Sequence, residues 1–198
     1  MSDQETIDIY NAQVEDYTKL VRDDKPDQDL RRFIDALPQD AHVLDLGCGP
    51  GHSSHMMMQA GLTVRATDAS REMVAFAKEK YGVNAHEQVF ADLTEVDAYD
   101  GVWANFSLLH DERANMPSNL ARIKTALKPK GVFNIAMKLG SDAHRDGLGR
   151  FYTYYTRDEL TGLLDQAGFT ILSEREDKTK GMAGQIDPFI ILLTHARD

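Results

Sequence analysis

Apolar residues along this chain recur with two periods. Over residues 5–22 they fall at Ile7, Tyr10, Val14, Tyr17 and Val21, a helical spacing that predicts an amphipathic helix. Leu30, Phe33, Ile34 and Leu37 predict a second helix at about 27–37, which Pro38 ends. From about residue 40 the pattern becomes short apolar runs alternating with helical stretches. Strands are predicted at about 42–46, 62–67, 86–90, 100–105 and 131–137, with helices at about 52–60, 70–80 and 113–127. Ser70 reads as a helix N-cap, with Glu72 suited to the positive helix end. Thr156-Arg157-Asp158-Glu159 reads as a capping box opening a helix with Leu160, Leu163 and Leu164, and Gly168 stops it. Two further strands, about 169–175 and 187–194, close the chain as an antiparallel pair. Repeated βα units predict an α/β fold: a doubly wound, mostly parallel sheet with helices on both faces.

One strand carries a distinct signal. Val43-Leu44-Asp45-Leu46 runs into Gly47-Cys48-Gly49-Pro50-Gly51. This predicts a buried strand opening into a backbone-lined loop, where glycine lets a ligand approach main-chain N–H groups. The spacing is G-x-G-x-G, not the G-x-G-x-x-G of dinucleotide binding, and Pro50 has no N–H to give a pyrophosphate. Asp45 would repel a phosphate and hold an ammonium group. Leu62 to Asp68 is a second strand ending in an acid, about 20 residues past the glycines, as expected for a carboxylate gripping a ribose diol.

With these features the chain resembles the class I S-adenosylmethionine-dependent methyltransferases, of the small bacterial type. Asp45, Gly47, Gly49 and Gly51 match the family's first motif, and Asp68, followed by Ala69, its second. Val89-Phe90-Ala91-Asp92-Leu93 resembles the strand-end acid that meets the adenine amino group. The run from Tyr99 to His110, with Asn105 and Ser107, resembles the fourth strand and the loop under the reactive methyl. The resemblance implies a Rossmann-like, seven-stranded sheet and S-adenosyl-L-methionine as cofactor. It implies one domain over 1–198: a helical cap over 1–38, and a core over 40–198 with a substrate loop at 138–155. It leaves the methyl acceptor open.

Composition limits the alternatives. A chain of 198 residues suits one domain, and no apolar run approaches the length that spans a bilayer. The start, Met1 to Glu5, does not read as a secretory signal. The lone Cys48 excludes an internal disulfide and suits a reducing cytoplasm; it reads as a small side chain behind a tight turn. A net charge of −10 weighs against nucleic acid, whose contacts need clustered Lys and Arg. The expected acceptor is a small molecule, and the expected assembly a monomer or homodimer. No metal site is expected, because His52 and His55 lack partners at metal spacing.

Candidate chemistry follows. The first turn after the glycines, His52-Ser53-Ser54, suits a carboxylate. His110 is the candidate general base, or else a histidine capping the fourth strand. Arg150 is a candidate clamp for an acceptor anion, and Tyr152 and Tyr154 a candidate aromatic wall; the alternative is a hairpin whose aromatics seal the sheet edge. Tyr10 or Tyr17 would face the cofactor if the first helix is a lid. Two other functions stay open: a nicotinamide-dependent oxidoreductase, and a non-catalytic cofactor-binding protein.

Overall fold

The computed structural model describes residues 3–18 and 26–198. Its main sheet has seven strands: β1 (His42–Leu46), β2 (Thr63–Asp68), β3 (Ala85–Glu87), β4 (Tyr99–Asn105), β5 (Leu127–Lys138), β8 (Phe169–Lys180) and β9 (Ile186–Ala196). Their order is β3-β2-β1-β4-β5-β9-β8, with β9 antiparallel to both β5 and β8. A separate two-stranded hairpin pairs β6 (Ala143–Arg145) with β7 (Phe151–Thr153). This is the expected Rossmann-like architecture.

Alternation along the strands explains why both faces are covered. Leu44, Val102 and Phe133 pack into one core layer with Leu120 and Ile123 of α6 (Met116–Ala126). Their neighbours Val43, Trp103 and Val132 pack into the other with Phe33 of α3 (Gln28–Asp35) and Met57 of α4 (His52–Gln59). Successive residues of a strand point to opposite faces, so a sheet buried on both sides needs continuous apolar runs. Each fully buried large side chain here contributes roughly 2 kcal/mol.

The local signals act as expected in two helices. Ser70 caps α5 (Arg71–Tyr81) by accepting the Met73 N–H, and Gly82 ends it in the left-handed region. Thr156 and Glu159 form a complete capping box on α7 (Arg157–Gln166). Four expectations need correction. The first predicted helix breaks at Gln13 into α1 (Gln4–Ala12) and α2 (Val14–Thr18), and its last predicted apolar position, Val21, lies outside the described residues. The third strand is only three residues long and gives way to a 3-10 turn over Phe90–Asp92. The final hairpin is longer than expected, because pairing between β8 and β9 continues through polar residues to Lys180 and Ile186. The stretch 138–155 is not an open loop but holds the β6–β7 hairpin, tied back by a Leu139–Tyr155 bridge.

Candidate active site

Register brings the predicted acids together. Asp45 lies beside Ala66, two residues before the β2 terminus at Asp68, and on its other side beside Trp103, two before Asn105. All three polar residues therefore reach the carboxyl edge of the sheet, where open α/β sheets bind ligands. A cavity of about 480 Å³ lies there. Asp45, Gly47, Gly49, Asp68, Ala69, Asn105, Ser107, His110 and Tyr10 all line it.

The glycine loop differs from the expected amide cradle. Gly47 and Cys48 donate their N–H groups to the Thr67 carbonyl, at 2.8 and 2.9 Å. Gly49 donates to Asp68 Oδ2 at 2.8 Å, and Gly51 to the Cys48 carbonyl. Pro50 has none. The loop's amides thus hold β2 and the loop itself. Nor does a ligand's approach dictate two of the glycines. A Cβ on Gly47 (φ 78°) would meet Ser107, and one on Gly51 (φ 85°) would meet Ala77. Gly51 is absent from the cavity wall.

The polar lining mixes hydroxyl, amide and imidazole groups with carboxylates. Asp3, Asp27, Asp45 and Asp68 line the cavity, and among the described residues no lysine or arginine does. Asp45 is buried and accepts the Ser54 hydroxyl at 2.6 Å. Burial pushes its pKa up to about 7; the Ser54 bond opposes that rise, and nearby Asp68 adds to it. Burial also raises Asp68, against backbone N–H donors from Ser70, Gly49 and Ala69. Helix α4 starts at the wall with Gly51 as N-cap, which supplies no side-chain capping bond, and His52 and Ser53 line the cavity. This donor set fits a ligand with a cationic centre, and a carboxylate at the helix start. It does not fit a pyrophosphate.

Other predicted residues fall elsewhere. Ala91 and Asp92 are exposed and Leu93 joins the core, so only Phe90 of that motif lines the cavity; the short third strand stops before reaching them. Ser107 donates its hydroxyl to the Leu46 carbonyl at 2.6 Å and so acts in packing. Arg150 is not an open clamp. It is 3% exposed and held by Asp146 at 2.6 Å, because a buried guanidinium without a carboxylate partner costs several kcal/mol. Tyr152 and Tyr154 belong to the core and not the wall: Tyr152 packs on His110 at 4.5 Å and Tyr154 stacks on His144 at 4.7 Å. The side chain of Tyr17 lies outside the described residues.

His110 does not stand as a free base. Its Nδ1 lies 2.7 Å from the Phe151 carbonyl and its Nε2 2.8 Å from Tyr10 Oη, so both ring nitrogens are engaged within the protein. Burial pushes its pKa down to about 4. Thr6 and Phe106 are among the wall residues that the sequence did not single out. Thr6 lines the cavity while accepting the Phe151 N–H at 2.8 Å; the Asp3-x-x-Thr6 capping spacing was its available signal. Phe106 lines it at φ 56°, a left-handed conformation with no signature in a phenylalanine.

Comparison with known proteins agrees with this geometry. Residues 43–131 match the methyltransferase domain family. An uncharacterized methyltransferase of Synechocystis is 31% identical over 147 residues, 66% of this chain and 67% of that protein. The cypemycin N-terminal methyltransferase of Streptomyces is 36% identical over 141 residues, 66% of this chain and 58% of that protein. The fold matches a Burkholderia thailandensis 1,6-didemethyltoxoflavin-N1-methyltransferase, solved with S-adenosylhomocysteine, at a TM-score of 0.77 and 22% identity, over 98% of this chain and 88% of that one. The chain belongs to the methyltransferase domain family, in the class I S-adenosylmethionine-dependent form. It spans about half the length of several curated relatives it matches.

Proposed function

We propose that this protein transfers the methyl group of S-adenosylmethionine to a small-molecule acceptor. The observation that carries the reading is that two carboxylates, buried Asp45 and half-buried Asp68, line one cavity with a loop whose amides are already bonded within the protein. When bound, the cofactor supplies an activated methyl on a cationic sulfur. Asp68 would hold the ribose hydroxyls, Asp45 the cationic amino acid end, and the start of α4 its carboxylate. The protein's further work is to align the acceptor and exclude water, because an in-line displacement gains most from a fixed near-attack geometry. The low polarity provided by Trp103, Phe106, Met56 and Leu30 in the wall favours loss of charge at the donor.

An acidic chain of net charge −10 supports a small acceptor over a nucleic acid. The single buried Cys48 supports a cytoplasmic setting. No helix among the described residues is long and apolar enough to cross a membrane. Titration calorimetry with S-adenosylmethionine and S-adenosylhomocysteine tests the reading. Binding of both by folded protein is expected, and binding of neither removes it. Binding of a nicotinamide dinucleotide in their place would point to the oxidoreductase.

A further inference from the structure

We propose that Tyr10 sets acceptor specificity as a hydrogen-bond acceptor of fixed polarity, with His110 and Arg150 as its positioning residues, so that the cavity selects molecules carrying an O–H or N–H donor. This rests on the methyl-transfer reading and narrows its acceptor class.

The polarity follows from the chemistry of four groups in a row. The Phe151 carbonyl can only accept, so the hydrogen of His110 sits on Nδ1, 2.7 Å away. The buried ring is neutral, which leaves a lone pair on Nε2. Tyr10 Oη, 2.8 Å from Nε2, must therefore donate its one hydrogen there. Arg150 Nη1 lies 3.2 Å from the same oxygen and can only donate to it. With the phenol hydrogen committed to His110, any group of an acceptor molecule that meets Oη has to be a donor. A methyl ether, a ketone or a carboxylate there would set two acceptors against each other, at the cost of an unmade buried hydrogen bond.

The surroundings hold this arrangement. Around His110 stand Tyr10 from α1, Tyr152 from β7, Lys138 from β5, and Arg150 with Asp146 from the β6–β7 loop. Asp146 fixes Arg150 through Nε and Nη2, and Asp187 holds the Lys138 ammonium at 2.6 Å. The positive charges of Arg150 and Lys138 oppose protonation of the imidazole, and Asp146 favours it. The neutral tautomer thus persists through the neutral pH range.

Two measurements test the proposal. In the wild-type chain, ¹⁵N NMR of His110 should show a neutral ring with hydrogen on Nδ1 from pH 5 to 8; hydrogen on Nε2, or a ring protonated in that range, overturns it. The second uses phenol and anisole, probes of similar shape with and without a donor, titrated by NMR in the presence of S-adenosylhomocysteine. Phenol should bind roughly tenfold more tightly. Tyr10→Phe should abolish that preference, Arg150→Gln should weaken it and Arg150→Lys should retain more of it. An equal response to the two probes, nil included, overturns the proposal, as does a preference that survives Tyr10→Phe. Should Tyr10→Phe not fold, the tautomer measurement stands on the native chain. Failure to bind S-adenosylhomocysteine strikes the methyl-transfer reading instead, and the tautomer result is independent of it.

Discussion

Gly47 faces Ser107 so closely that a Cβ added to the glycine would stand 2.3 Å from the serine Cβ. The contact joins the loop after β1 to the loop after β4, and the Ser107 hydroxyl bonds back to Leu46. Gly47→Ala meets this clash and also a φ of 78°. A loss of about 2–4 kcal/mol in chemical denaturation is expected, from overpacking and backbone strain together. Shortening the partner with Ser107→Gly should recover the steric part only, since the left-handed φ remains.

Asp45 links ligand binding to pH. Its carboxyl is raised to about 7 by burial, with Asp68 adding to the rise. A cationic ligand favours the ionised form, so binding below that pH must release a proton. Affinity for S-adenosylmethionine should weaken by up to about tenfold per pH unit below 7 and level off above. Calorimetry at pH 6 in buffers of different ionisation enthalpy should detect the released proton, and Asp45→Asn should abolish it. Ser54→Ala removes a bond that favours the carboxylate, so the onset of weakening should move to higher pH. The sign holds for stability too. A carboxyl raised in the folded state contributes stability at low pH, and loses it as pH climbs from about 4 through about 7.

The two acids that end β2 and the 3-10 turn should differ in weight. Asp68 is in the cavity wall and anchors Gly49 and Ser70 through its two oxygens. Asp92 is exposed and lies outside the wall. Asp68→Asn should weaken S-adenosylhomocysteine at least tenfold, and Asp92→Asn by under about threefold, since an exposed polar contact exchanges with water at little net gain. Equal losses in the two variants would place the adenosine end of the ligand beyond the cavity described.

Helix α1 is docked over the site by polar contacts that begin at Asp3. That carboxylate caps the helix at the Thr6 N–H and pairs with Arg145 at 2.8 Å. Asp3→Ala should cost about 1 kcal/mol through the lost cap, read as faster amide exchange over residues 4–12 than elsewhere. The Arg145 bond holds the Asp3 carboxyl well below its usual range, so this contribution is present above about pH 4 and lost only as pH falls further.

Residue order alone determined the layered fold and the cofactor class. Strand and helix periods survive any arrangement of the chain, and Asp45, Asp68 and Asn105 follow apolar runs whose ends must meet at one edge of a parallel sheet. Capping signals at Ser70 and Thr156 act within a single turn, so they too were legible. Tertiary structure decided the rest. Whether Arg150 clamps a ligand or pairs with Asp146 depends on a hairpin fold that only long-range packing sets. The direction of the Gly47 and Cys48 amides depends on the Thr67 carbonyl of the neighbouring strand, 20 residues past Gly47 in the chain and adjacent in space. His110 and Tyr10 lie 100 residues apart in sequence, and their shared hydrogen bond, with the polarity it imposes on the cavity, arises only when α1 docks over the end of β4.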